Sequence, residues 1–255
     1  MAGTDRTQTP VLGGPTIILV EPQLGENIGT AARAMLNFGL TSLRLVNPRD
    51  GWPSDKALSA ASGADVVIEG AVLFETTAAA IADLNRVYAT SARRRDMLKT
   101  VMTPERVAEV MHVEIAAGSK VGILFGPERT GLTNDDVTLA DALISVPLNP
   151  AYASLNIAQA VLLIGYEWFQ RTSEMPAEAL DEGHTYPAPR EELLRFFEHL
   201  ESELDASGFL RPPEKRPAMV RNVRNMFQRA GLMEQEVRIL RGIVTALARH
   251  RRPDQ

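Results

Sequence analysis

Cysteine occurs nowhere in the 255 residues, and that absence excludes disulfides, zinc–thiolate centres and thiolate nucleophiles together. Histidine is almost as scarce. His112, His184, His199 and His250 lie far apart and none has the HExxH spacing of a zinc hydrolase, so the sequence requires no metal. No stretch approaches the roughly 18 uninterrupted apolar residues of a membrane-spanning helix. The segment Met1 to Gly14 is polar, unlike an apolar signal run. A cytoplasmic protein without a membrane partner is expected.

What is present suits one substantial core and a smaller appended unit: 45% of the residues are hydrophobic and 23% charged. The net charge of −5 hides a segregation. From Glu174 to Asp205, ten acids (Glu174, Glu178, Asp181, Glu182, Glu191, Glu192, Glu198, Glu201, Glu203, Asp205) face only Arg190 and Arg195. From Arg211 to Arg252, eleven bases outnumber Glu214, Glu234 and Glu236. The basic tail is either an RNA-docking surface or the ion-pairing partner of the acidic stretch, and charge alone does not choose.

The first 170 residues alternate short apolar runs with helix-period segments, the pattern of an α/β domain built on a mostly parallel sheet. Strands are predicted at Thr16–Val20, Ser42–Val46, Val66–Ile68, Val87–Thr90, Val121–Phe125 and Ala142–Val146. Asn27–Phe38 reads as a helix ended by Gly39, and Leu155–Phe169 as a long apolar helix with Ser154 or Asn156 near its start. Such a helix suits a core or a subunit interface. The acids and prolines around Pro176, Pro187 and Pro189 mark a linker over 173–189. Helices Arg190–Ala206, Ala218–Ala230 and Met233–Arg249 follow as a small helical domain over 190–255. Its apolar stripes are Leu193, Leu194, Phe197, Leu200 and Leu204, and Val237, Leu240, Ile243, Val244 and Leu247.

Three loops carry the chemistry. Gly126-Pro127-Glu128-Arg129-Thr130-Gly131-Leu132 follows the strand ending at Phe125. It is not a P-loop, because Leu132 stands where the lysine must be, and the dinucleotide GxGxxG pattern is absent. Taken alone it is a glycine-rich turn. Pro147 to Asn156 runs from a strand end into the long helix, and its prolines free backbone groups for a ligand. Ser154 reads there as a helix cap or a ligand contact. In Glu21 to Ala34, Gly25 and Gly29 flank Asn27, and small residues surround Arg33, which a polyanion can then approach closely. As a lone helical arginine, Arg33 also reads as a solvated side chain.

In this order the three loops resemble the signature motifs of the SpoU branch of the SPOUT methyltransferases, over about Thr16 to Gln170: Asn-Ile-Gly with Ala-Arg-Ala, Gly-Pro-Glu-Arg-Thr-Gly-Leu, and Asn-Pro with Ser-Leu-Asn. Asn149-Pro150, Val46-Asn47-Pro48, Thr90-Ser91-Ala92-Arg93 and the helical extension are similar to the J-type tRNA methyltransferases, which modify ribose 32 of the anticodon loop. The resemblance implies a SPOUT domain over 1–172 with a C-terminal deep trefoil knot, S-adenosyl-L-methionine as cofactor, tRNA as substrate and a homodimer. It implies cofactor contacts at Thr90, Ser91 and Ala92, around Gly126 and Gly131, at Val146, and at Ala153, Ser154 and Leu155. It casts Arg33 as activator of the ribose 2′-hydroxyl. A guanidinium scarcely acts as a base, so Arg33 is expected to clamp a phosphate and stabilise the developing alkoxide. Glu128, the lone carboxylate of the glycine loop, would position Arg33 or the ribose. Asn27 and Asn156 would orient the hydroxyl and brace the loop. Ribosomal-RNA ribose methylation and a non-catalytic RNA-binding module are the alternatives. The joint presence of Arg33, Glu128, Ser154 and Asn156 weighs against the module, and the C-terminal extension weighs against the rRNA enzymes that carry an N-terminal RNA-binding domain. Docking is expected from the extension or from the Arg93-Arg94-Arg95 loop.

Overall fold

A computed structural model describes residue 7 and residues 9–91, 97–173 and 183–251. Ala92, the Arg93-Arg94-Arg95 loop, Glu174, Glu178, Asp181, Glu182 and Arg252 lie outside the described residues. The chain forms two compact units, Met1–Met175 and Pro176–Gln255.

In the first unit seven strands make one sheet: β1 (Thr16–Val20), β2 (Leu43–Val46), β3 (Val72–Phe74), β4 (Arg86–Thr90), β5 (Val101–Met102), β6 (Val121–Phe125) and β7 (Ala142–Ile144). Their order is β3-β2-β1-β6-β4-β7-β5, and every pairing is parallel. β1 and β6 are buried along their whole length, as expected of central strands covered on both faces, and this is why they read as unbroken apolar runs. Alternate residues divide between two cores. Ile17, Leu19, Leu45, Ile123 and Phe125 pack on one face against α1 (Gly25–Asn37), α2 (Asp55–Ala61), α5 (Pro104–Ala116) and α7 (Ile157–Gln170). Ile18, Val46, Ala89, Leu124 and Leu143 pack on the other, with Ala80 of α4 (Thr77–Ile81) and Val137 of α6 (Asn134–Thr138).

Gly29 sets the approach of α1 to α2, since a Cβ there would lie 2.1 Å from the Ala57 carbonyl oxygen. The glycine of Asn-Ile-Gly is therefore a packing requirement, and it fixes the helix that carries Asn27 and Arg33.

The predicted strand at Val66–Ile68 is instead a short helix, α3 (Asp65–Glu69), with Val67 and Ile68 buried and Val66 exposed. A run of three apolar residues is too short for periodicity to separate strand from helix. The strand lies at β3, an edge that exposes Val72 and Leu73. The last strand stops at Ile144, so Val146 belongs to the following loop. Neither β5 nor α5 is among the expected elements, although Thr103 caps Arg106 N at 3.3 Å and Pro104 occupies the first turn.

The second unit holds α8 (Arg190–Ser207), a 3-10 turn (Pro213–Lys215), α9 (Arg216–Ala230) and α10 (Glu234–Arg251). Its core is Leu193, Phe196, Phe197 and Val237, and Phe196 meets Phe227 edge-on at 4.9 Å. Phe196 is absent from the predicted stripe, whereas Leu194, Ile243 and Leu247 are exposed. Two helices and one crossing aromatic fill a narrower seam than full stripes would supply. The end of the expected linker is ordered within this unit: Tyr186 O accepts from Glu234 N at 2.9 Å and Leu232 O from Ala188 N at 3.0 Å.

Candidate active site

Parallel strands present their carboxyl ends to one edge of the sheet, where loops rather than ladder partners satisfy the backbone, and ligand crevices form there. A cavity of about 370 Å³ opens at the ends of β4, β6 and β7. Thr90 and Ser91 form its floor, with Thr90 Oγ1 donating to Leu124 O at 3.0 Å and Ser91 N to Ile144 O at 2.9 Å. Gly126 and Gly131 supply the glycine-loop wall. A Cβ on Gly126 would lie 2.1 Å from Leu132 N, so only glycine lets the loop close on itself, and Gly131 N donates to Pro127 O at 2.8 Å. Val146, Ala153, Ser154 and Leu155 complete the opposite wall. Every expected cofactor contact within the described residues lines this one cavity.

Glu128 also lines it, and both of its oxygens are engaged. Oε1 accepts from Asn27 Nδ2 at 2.6 Å and Oε2 from Gln23 N at 3.3 Å. Asn27 Oδ1 in turn accepts from Asn156 Nδ2 at 3.0 Å. Asn156 caps α7: its Oδ1 accepts from Ala158 N at 2.8 Å, and Gln159 Oε1 accepts from Asn156 N at 3.0 Å. The cap is thus Asn156 and not Ser154, which faces the cavity. Three segments distant in sequence are thus tied side chain to side chain through the cavity-lining Glu128.

Arg33 does not join this cluster. It lies six residues after Asn27, about 9 Å along α1 at 1.5 Å per residue. It is exposed and has no side-chain partner among the described residues. The expected contact between Arg33 and Glu128 is not formed; the carboxylate accepts from Asn27 and Gln23 instead. Sequence reasoning misses Gln23 and Asp50. α1 begins after Leu24, which has no side-chain acceptor, and Asp50 Oδ2 accepts from Gly25 N at 3.2 Å instead. A cap lent from another loop leaves no local sequence signal.

Volume and lining fit an adenosyl-type group. Apolar side chains of Leu132, Ile144, Leu148 and Leu155 would suit a ring, loop backbone offers hydrogen bonds to its edge, and Glu128 adds an anion to the lining, which suits a cationic group.

Residues 14–166 match the SpoU rRNA methylase family. The chain belongs to the SpoU methylase family. Residues 191–255 of this SpoU methylase match the C-terminal domain of the tRNA methyltransferase TrmJ. It is 39% identical over 236 residues to the tRNA (cytidine/uridine-2′-O-)-methyltransferase TrmJ of Escherichia coli strain 536, covering 91% of this chain and 94% of that relative. The crystal structure of TrmJ from Z. mobilis ZM4 superposes with a TM-score of 0.80 at 50% identity, covering 92% of this chain and all of that one. A probable methylase family protein from Haemophilus influenzae Rd KW20 superposes with a TM-score of 0.57 at 31% identity, over 92% of this chain and 96% of its own. Within the family this methylase groups with the TrmJ proteins, and it is an RNA ribose methyltransferase.

Proposed function

We propose that this methylase transfers a methyl group from S-adenosyl-L-methionine to the ribose 2′-hydroxyl of a cytidine or uridine in tRNA, at nucleotide 32 of the anticodon loop. The observation that carries the reading is the Glu128–Asn27–Asn156 chain of hydrogen bonds, which ties the cavity-lining Glu128 to the starts of α1 and α7. The TrmJ-type C-terminal match favours tRNA over ribosomal RNA.

The cofactor supplies an electrophilic methyl on a sulfonium. Thr90, Ser91, Gly126, Gly131, Val146, Ala153, Ser154 and Leu155, joined by Ala92, would hold it. Glu128 positions Asn27 through the hydrogen bond at its Oε1. Asn27 and Asn156 then fix the wall against which the ribose is aligned, and alignment removes a large entropic part of the barrier. Arg33, a donor with no partner among the described residues, clamps a phosphate beside the ribose and stabilises the developing alkoxide. The proton leaves to that phosphate or to water.

The resemblance further carries the trefoil knot, a cytoplasmic setting and a homodimer. The dimer is supported by α7, whose Leu162 and Tyr166 remain exposed opposite its buried face. The helical unit over 190–255 is assigned to tRNA docking. Arg195, Arg216, Arg224, Arg238 and Arg241 pair with acids. Arg211, Lys215, Arg221 and Arg229 make no ion pair among the described residues and stay available for phosphate.

Mass spectrometry of tRNA nucleosides from cells with and without the gene tests the assignment. Loss of 2′-O-methylcytidine or 2′-O-methyluridine is expected, and an unchanged profile overturns it.

A further inference from the structure

Beside the cavity, the loops leaving β1 and β2 hold two non-glycine residues in left-handed backbone, Glu21 (φ 45°) and Asn47 (φ 44°). Each follows the last residue of its strand, and those residues, Val20 and Val46, are in register on adjacent strands. Glu21 and Asn47 therefore stand side by side, about 5 Å apart, at the carboxyl edge of the sheet. Asparagine tolerates this conformation, whereas glutamate adopts it only where the surroundings impose it.

Here the surroundings do impose it. Glu21 N donates to Val46 O at 2.8 Å, Asn47 N to Phe74 O at 3.0 Å and Arg49 N to Pro22 O at 3.1 Å, so the two loops are laced into one rigid shelf. The shelf is continuous with the active site, since Gln23 N donates to Glu128 Oε2. On it, the side chains of Glu21, Asn47 and Arg49 have no partner among the described residues. A backbone this constrained that presents three polar groups with nothing to bind is preorganised for a ligand.

Resting on the function proposed above, we infer that this shelf receives the target nucleotide, with Asn47 reading the base edge and Arg49 holding the adjoining phosphate. Cytosine presents an acceptor at N3 beside a donor at N4, and uracil presents a donor at N3 beside an acceptor at O4. A carboxamide offers one donor and one acceptor and reverses their order by turning over, so Asn47 complements both pyrimidines. The Glu21 carboxylate repels phosphate. The RNA backbone consequently runs on the Arg49 side and the base turns toward Asn47.

The test uses the full-length enzyme and tRNA transcripts differing only in cytidine or uridine at the methylated nucleotide. Glycine adopts φ 44° without strain, so Asn47→Gly removes the side chain and spares the fold. Its kcat/KM should fall at least tenfold on both transcripts, with melting temperature and affinity for S-adenosylhomocysteine unchanged. Asn47→Asp, which can accept from cytosine N4 or uracil N3 but can donate to neither base, should also lose at least tenfold in kcat/KM on both transcripts. Wild-type kcat/KM in Asn47→Gly overturns the inference alone, as does wild-type kcat/KM in Asn47→Asp. A wild-type enzyme inactive on both transcripts overturns the function reading and this inference with it.

Discussion

The side-chain amide of Asn156 donates to the side-chain carbonyl of Asn27 at 3.0 Å, across 129 residues of sequence. One residue thus ends the loop that lines the cavity, starts α7 and braces α1, the helix that carries Asn27 and Arg33.

Replacing Asn156 with alanine removes two things at once. Loss of the cap costs about 1 kcal/mol, and loss of the bond to Asn27 a further ~1 kcal/mol. Asn156→Ala should melt earlier and bind S-adenosylhomocysteine roughly five- to tenfold more weakly, about 1 to 1.4 kcal/mol. Asn156→Asp separates the two roles, since a carboxylate caps as well as an amide but cannot donate to Asn27. It should recover most of the melting temperature and little of the affinity by calorimetry. Recovery of both would reduce Asn156 to a cap.

Arg33 is exposed, with no side-chain partner among the described residues, so truncation has nothing to break in the free protein, and surface changes of this kind stay within about 0.5 kcal/mol. Arg33→Ala should keep stability and S-adenosylhomocysteine affinity while methyl transfer falls more than tenfold, a loss above about 1.4 kcal/mol. A variant retaining over about a tenth of the wild-type rate removes Arg33 from the reaction.

The contrast between these two residues marks what a sequence carries. The loop after β6 and the first turns of α1 are legible because Gly126 and Gly29 answer local demands, a tight closure and a close helix approach, that no other residue meets. The buried strands are legible because burial on both faces leaves unbroken apolar runs such as Thr16–Val20. The choice of side-chain partner is not legible in this way. Nothing near Glu128 says that Asn27 and Gln23 rather than Arg33 will occupy it, and nothing near Leu24 announces a cap from Asp50. Such contacts depend on how loops converge in space. For the same reason Phe196, off the predicted stripe, is buried by the crossing of Phe227.

Acid should act on the first unit through Asp83. Two hydrogen bonds from Arg44, at 2.5 and 3.0 Å, hold its carboxyl down at about 2. In the unfolded chain an aspartate titrates near ~3.9. A lowered folded value means that the contribution is complete above the unfolded value and disappears as pH falls from about 4 toward about 2. The pair is partly solvated, with Asp83 half exposed, so its worth is under about 1 kcal/mol. Asp83→Asn should flatten the fall of melting temperature between about pH 4 and about pH 2 relative to wild type. Parallel acid limbs for the two proteins would remove the pair from the account.

The arginines of the helical unit divide into those already neutralised and those that are not, and the division predicts opposite behaviour. Arg238 pairs with Glu234, whereas Arg221 and Arg229 of α9 have no ion pair among the described residues. If α9 meets the tRNA backbone, Arg221→Ala combined with Arg229→Ala should weaken tRNA binding. It should also lower the slope of log affinity against log salt by about 0.7 to 0.9 for each phosphate left without its arginine. Arg238→Ala should leave that slope alone, because its charge is already compensated within the helix. Deleting everything after Arg190 should lower affinity and slope further while the first unit still binds S-adenosylhomocysteine. Binding measured at several salt concentrations decides the matter. Equal slopes for wild type, the double variant and the truncation would return the basic stretch to a purely structural role.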